Sequence, residues 1–222
     1  MAAQHADSVA AQVAAGLVKL SLALRHEAWK EARGGGLTPT QGQVLSWLLL
    51  QAPGQCPTPG ELAKALALSP ATVSEALRTL EAKGLVRRRQ SGDDRRSFQL
   101  ALTGAGSRIA QASAGWADFL AVAVDSLPPA DQVALLRVLV RLIRTLQLQG
   151  KISVARMCVS CTYFRPFAHP DPERPHHCHY VDAAFGDGRL RLECPDYEPA
   201  PDERQEAAWE AWAGRWERAA ET

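Results

Sequence analysis

The stretch Ser69–Gly106, SPATVSEALRTLEAKGLVRRRQSGDDRRSFQLALTGAG, decides the fold. Ser69 can cap a helix, and Pro70 stands at the first helical position, where a missing N–H costs nothing. The spacing predicts a helix from Pro70 to Lys83 that stops at Gly84. Leu85, Val86 and the triplet Arg87, Arg88, Arg89 then extend as a strand, and Ser91-Gly92-Asp93-Asp94 turns the chain. Phe98, Leu100 and Leu102 alternate with Gln99 and Ala101 as the returning strand, so the second half of the stretch is a hairpin with a charged tip.

Working outward, the same helix punctuation occurs twice upstream. Thr58, Pro59 and Glu61 open a short helix that ends near Leu68, and Thr38, Pro39 and Gln41 open one through Val44, Leu45, Leu48 and Leu49. Further upstream, Val9 to Ala32 carries Val13, Leu17, Leu20, Leu24 and Trp29 at helical spacing and ends at Gly34, Gly35 and Gly36. Downstream, Thr103 caps a helix expected to reach about Leu127, Pro128 and Pro129 interrupt, and Ala130–Leu148 forms another with Val133, Leu136, Leu139, Val140 and Ile143 on its apolar side. Three short capped helices followed by a hairpin make a winged helix-turn-helix. The fold class expected is mainly α with a small β wing (α+β), with a long helical dimerisation region and a loop-rich, metal-binding C-terminal module.

Charge separates the two parts of the chain. The net charge is only +1 over 222 residues, but residues 1–150 carry 16 Lys and Arg against 11 acids, and residues 151–222 carry 9 against 13. Arg78, Lys83, Arg87, Arg88, Arg89, Arg95 and Arg96 all fall between Glu75 and Arg96, a concentration suited to a polyanion. Ser69, Ala71, Thr72, Ser74, Glu75 and Arg78 place small and polar side chains in the first turns of the third capped helix, where base edges are read in a major groove. Arg88 lies on the wing, and Arg95 or Arg96 at its tip can enter a minor groove. On these grounds the DNA-binding residues expected are Ser69, Ala71, Thr72, Ser74, Glu75, Arg78, Arg88, Arg95 and Arg96.

Residues 38–104 resemble the MarR family of bacterial transcription regulators. The resemblance rests on Thr38-Pro39-Thr40-Gln41, Leu62-Ala63, Ser69-Pro70-Ala71-Thr72-Val73-Ser74, Leu80–Val86, the wing motif Asp94-Arg95-Arg96 and the Leu-Thr-x-x-Gly of Leu102–Gly106. It implies a homodimer with intertwined terminal helices, Val9–Ala32 and Thr103–Leu148, bound to double-stranded DNA at a pseudo-palindromic operator. It reaches to about residue 148, which gives three segments: 1–149 for DNA binding and dimerisation, 150–200 for a separate module, and 201–222 for a C-terminal amphipathic helix.

The separate module contains Cys158-x2-Cys161-x16-Cys178-x15-Cys194 among Pro, His and aromatic residues. Two thiolates two residues apart can meet one metal from a single turn, and two distant cysteines can close the site. The metal ligands expected are Cys158, Cys161, Cys178 and Cys194, with His176, His177 and His179 as possible substitutes. The cofactor is an iron–sulfur cluster (4Fe-4S or 2Fe-2S) or, alternatively, zinc. The single Cys-x-x-Cys pair departs from the usual paired zinc knuckles. The intervals are similar to those of high-potential iron–sulfur proteins, and Tyr163, Phe164, Phe167, Tyr180, Phe185 and Tyr197 can shield a cluster. Cys56 has no neighbouring cation to activate it. Trp209, Trp212 and Trp216 share one face of the last helix and read as packing.

At 46% hydrophobic and 22% charged residues, the composition is that of a folded soluble protein. No apolar run spans a bilayer and the first twelve residues lack a signal-peptide pattern, so a cytoplasmic location with no membrane partner is expected. Gly-rich nucleotide loops and assembled catalytic triads are missing from the pattern, which points away from an enzyme. The sequence thus leads to a transcriptional regulator whose operator affinity is controlled by an iron–sulfur cluster, by redox or iron sensing. A ligand-responsive repressor with a structural zinc site and an iron–sulfur electron-transfer protein stay open as alternatives.

Overall fold

The computed structural model describes residues 8–34, 36–51, 56–90, 98–113, 118–152 and 155–220. The chain divides into two compact units, residues 1–123 and 124–222.

The first unit contains α1 (Val9–Gly34), α2 (Pro39–Leu49), α3 (Pro59–Ala65), α4 (Pro70–Ala82), the strands β1 (Val86–Gln90) and β2 (Phe98–Leu102), and α5 (Gly104–Ser113). The three sequence punctuations are real caps. Thr38 Oγ1 accepts from the Gln41 N–H at 3.3 Å while Gln41 Oε1 accepts from the Thr38 N–H at 3.1 Å. Thr58 and Glu61 repeat the reciprocal pair at 3.3 and 2.7 Å, and Ser69 Oγ accepts from the Thr72 N–H at 3.1 Å. Each cap satisfies donors that the first helical turn leaves without partners. The core between these short helices holds Val44, Leu45, Leu62, Val73, Leu77 and Leu80, with Leu100 entering from the hairpin.

Gly84, with φ +67°, takes the chain out of α4 into β1, a conformation that glycine adopts without strain. β1 and β2 pair antiparallel with Val86 opposite Leu102 and Gln90 opposite Phe98. Thr103 locks the far end of the hairpin: its N–H donates to the Leu85 carbonyl at 3.0 Å, and its hydroxyl donates to the Gly84 carbonyl at 2.7 Å and accepts from the Gly106 N–H at 3.0 Å. The helix expected from Thr103 to Leu127 is described in two pieces, α5 and α6 (Asp118–Asp125), with residues 114–117 outside the described ones.

The second unit begins within α6 and contains α7 (Pro129–Leu148), three very short strands, β3 (Phe164–Arg165), β4 (His176–Cys178) and β5 (Ala183–Phe185), and α8 (Asp202–Ala220). The strands form an antiparallel sheet in the order β3-β4-β5. The module read from sequence as loop-rich therefore has a small sheet, whose two- and three-residue strands are too short to show alternation. Val140 of α7, Met157, Val159, Phe164 and Leu190 of the cysteine loops, and Trp212 and Ala213 of α8 form one buried cluster. The division thus differs from the segments 1–149, 150–200 and 201–222: α7 and α8 share their core with the cysteine loops. No helix among the described residues is long and apolar enough to cross a membrane.

Candidate functional site

The first candidate surface is the N-terminal half of α4 with the adjoining hairpin. Ser69, Ala71, Thr72, Ser74, Glu75 and Arg78 are all exposed, while Val73, Ala76, Leu77 and Leu80 hold the opposite face in the core. The helix is thus fixed by its apolar face and presents its small polar face to solvent. Two pairs of its side chains are engaged locally. Ser69 Oγ serves the cap and lies 2.8 Å from Thr72 Oγ1, and the Arg78 Nη2 donates to both Glu75 carboxylate oxygens at 2.7 Å. Such an exposed pair contributes little to stability and opens readily when a better anion arrives. Arg88, exposed on β1, pairs with Glu81 at 2.7 Å and stacks over Phe98 at 5.8 Å. Arg95 and Arg96 lie outside the described residues.

The second candidate site lies in the cysteine module, where three chain segments bring four distant cysteines to one place. The Cys158 N–H donates to the Arg191 carbonyl at 3.1 Å and the Cys194 N–H to the Arg156 carbonyl at 3.0 Å. Phe164 pairs with Cys178 across β3 and β4. Cys158, Cys161, Cys178 and Cys194 consequently line a single cavity of about 560 Å³ together with Tyr163, Phe164, Tyr180, Phe185 and Arg191. All four are half-buried free thiols. Burial pushes the Cys158 thiol up to about 11; the Arg191 N–H opposes this, and the charges of Cys194, Cys161 and Cys178 add to it. Among the described residues no group of three or more His, Cys, Asp or Glu side chains forms a metal-ion site. The four thiols share the lining of this cavity.

Two of the three histidines are committed elsewhere, and the His179 ring packs edge-on against His177 with centroids 4.6 Å apart. His176 is fully buried, accepts from the Phe167 N–H on Nδ1 at 3.3 Å, and donates from Nε2 to Asp187 at 3.0 Å. His177 contacts His169 at 3.0 Å and Asp182 at 3.2 Å. Of the six aromatics read as shielding, Tyr163, Phe164, Tyr180 and Phe185 line the cavity. Phe167 packs on His176, and the Tyr197 hydroxyl donates to Ser160.

Sequence reasoning missed Asp187. Its Oδ1 accepts from His176 and, at 2.9 Å, from Trp212 Nε1, and its Oδ2 lies 3.7 Å from Arg137 of α7. It therefore joins β4, α7 and α8, and no local pattern around Gly186-Asp187-Gly188 announces that. Burial would raise its carboxyl, but the hydrogen bonds from His176 and Trp212 and the charge of Arg137 hold it below the usual range.

Capped helices, a buried three-helix core and an antiparallel hairpin define the first unit as a winged helix. Residues 35–97 match the family model described as MarR family. The chain is similar to the solved structure of Staphylococcus aureus MepR in a DNA-binding conformation, with 25% identity, TM-score 0.53, and coverage of 60% of this chain and 98% of that one. A MepR–DNA complex gives 24%, 0.53, 60% and 97% for the same quantities. Streptococcus pneumoniae FabT in complex with DNA gives 20%, 0.51, 61% and 94%. These likenesses support the fold, mainly helical with a small antiparallel sheet. No curated protein matches the chain.

Proposed function

We propose that the protein is a transcription regulator that binds duplex DNA as a homodimer, and that an iron–sulfur centre on Cys158, Cys161, Cys178 and Cys194 controls its operator affinity. The observation that carries the DNA reading is the capped α4, anchored by Val73, Leu77 and Leu80 and presenting an exposed polar face beside a basic hairpin. In this reading α4 enters a major groove and the wing an adjacent minor groove, and two copies read half-sites about one helical turn apart. MepR and FabT are solved with DNA, which supports carrying that use to this chain. The second copy has an apolar face to cover: Val9, Val13, Leu17 and Leu20 share one side of α1 and are all exposed in the single chain.

Control by the cysteine centre draws support from the second unit. α7, which the family resemblance places in the dimerisation region, shares a core with the cysteine loops and meets Asp187 through Arg137. Asp187 in turn holds His176, two residues from Cys178. A change in the loops can thus bias how α7 packs, and a coupling of about 1–3 kcal/mol changes affinity about 5- to 150-fold. The test titrates one operator with loaded protein and with protein stripped under non-denaturing conditions, both verified as dimers at matched salt. Affinities that differ by such a factor support the control. Equal affinities reduce the module to a structural part.

A further inference from the structure

We propose that the four-thiol cavity holds a cubane of four irons and four sulfides with one cysteine on each iron, and that Arg191 positions two of the thiolates and sets the redox poise of the cluster. The inference rests on the reading that these four cysteines hold an inorganic centre, and adds its composition and the residue that tunes it.

The composition follows from the shape of the site. A structural zinc ion needs four donors at about 2.0–2.3 Å from one point, which leaves no open volume between them. The thiols stand around a cavity of about 560 Å³. A cubane reaches outward to its ligands, because each thiolate binds a separate corner, so it occupies a volume that one ion does not. The donor set is sulfur. His176 uses both ring nitrogens on Phe167 and Asp187, and His177 faces His169 and Asp182, so neither is free for mixed His and Cys ligation of the Rieske kind. The cavity is held open by bonds that need no cofactor, since Arg191, Arg156 and Phe164 tie the cysteine-bearing segments through the backbone. Its rim residues Tyr180 and Val181 are exposed, which gives small oxidants a path.

Arg191 approaches the sulfurs twice. Its backbone N–H donates to Cys158 Sγ at 3.3 Å, and its guanidinium Nη1 lies 3.9 Å from Cys194 Sγ. Donors to ligand sulfur stabilise the more negative, reduced cluster and so raise its potential. Glu173 and Asp196 also line the cavity and act in the opposite sense, Arg174 and Arg189 line it too, and the Arg191 charge is the one in contact with a ligand sulfur. Reduction adds one electron to the cluster core, with dithionite as donor in the test. No bond to protein forms or breaks, and no proton moves.

The experiment reconstitutes the full chain anaerobically with ferrous iron and sulfide, counts iron, sulfide and zinc per chain, and measures the potential of wild type, Arg191→Met and Arg191→Lys by dye-mediated titration. Four irons and four sulfides per chain, with broad visible charge-transfer absorption, are expected. Serine at Cys158, Cys161, Cys178 or Cys194 brings the iron content close to background, and Cys56→Ser leaves it unchanged. The potential falls in Arg191→Met and falls less in Arg191→Lys, which keeps the charge. Two irons with two sulfides, or one zinc without sulfide, overturns the cubane and leaves a four-thiol centre standing. No bound inorganic centre under any loading overturns the underlying reading as well. An unshifted potential in a normally loaded Arg191→Met removes Arg191 from the tuning role.

Discussion

The guanidinium of Arg137 on α7 lies 3.9 Å from the ring centroid of Trp216 on α8. Seven residues along each helix, Arg144 stacks at 4.6 Å over Trp209 and pairs with Glu206 at 2.7 Å. Between these two stacks, Trp212 is fully buried and donates to Asp187. The tryptophan face of α8 is therefore the seam that joins α7 to the cysteine module.

That seam sets a ranking of losses. Trp212→Ala removes a fully buried indole and leaves a cavity, at a cost of about 3–5 kcal/mol. Arg137→Ala removes a stacked cation and a long ion pair, at about 0.5–2 kcal/mol. Urea melts followed by tryptophan fluorescence are expected to show that order in the second unit. A smaller effect for Trp212→Ala than for Arg137→Ala would place the seam elsewhere.

Asp187 gives the second unit an acid-sensitive term. Its folded pKa lies below the unfolded value of about 3.9, so the stability it contributes is complete above that value and is lost as pH falls through the folded pKa. Asp187→Asn is expected to be less stable than wild type at pH 7, with the gap closing below about pH 4. Stability curves measured from neutral to acid pH that stay parallel would show that Asp187 carries no such term.

In the first unit, a Cβ on Gly106 would run into the carbonyl oxygen of Leu85. That carbonyl already accepts from Thr103 and cannot retreat without opening the hairpin. Gly106→Ala is therefore expected to destabilise the winged helix by about 1–3 kcal/mol or more, read as a lower melting temperature. Gly104→Ala, where an added Cβ meets nothing, serves as the control.

What could be read in the sequence was local. The caps at Thr38, Thr58 and Ser69 are each a side chain acting on its own helix, so their spacing alone revealed them. The Leu102–Gly106 motif was legible as a pattern, but its cause, the approach of Leu85 to Gly106, is a contact between distant residues. The four cysteines were legible by type and spacing. The contacts of Asp187 with His176, Trp212 and Arg137 were not, because they span 11, 25 and 50 positions of the chain. For the same reason the unit boundary moved ahead of α7: helical periodicity gives Val140 an apolar face without naming what covers it.

The wing offers the last test. Arg95 and Arg96 follow Asp93-Asp94 in the sequence between β1 and β2, outside the described residues, and the sequence pattern assigns them to the wing tip. An arginine there meets the negative potential of a minor groove and neighbouring phosphates. Each phosphate contact releases condensed counterions, and each one lost lowers the slope of log affinity against log salt by about 0.9. The Arg95→Ala, Arg96→Ala double variant is expected to bind specific and unrelated duplexes more weakly, with a slope reduced by about 1 to 2. Ser74→Ala on α4 is expected to weaken the specific site alone, because a base contact carries sequence information and a phosphate contact does not. Binding isotherms from low to physiological salt separate the two. A double variant with unchanged slope would take the wing tip out of DNA binding while leaving the role of α4 to be judged by Ser74→Ala.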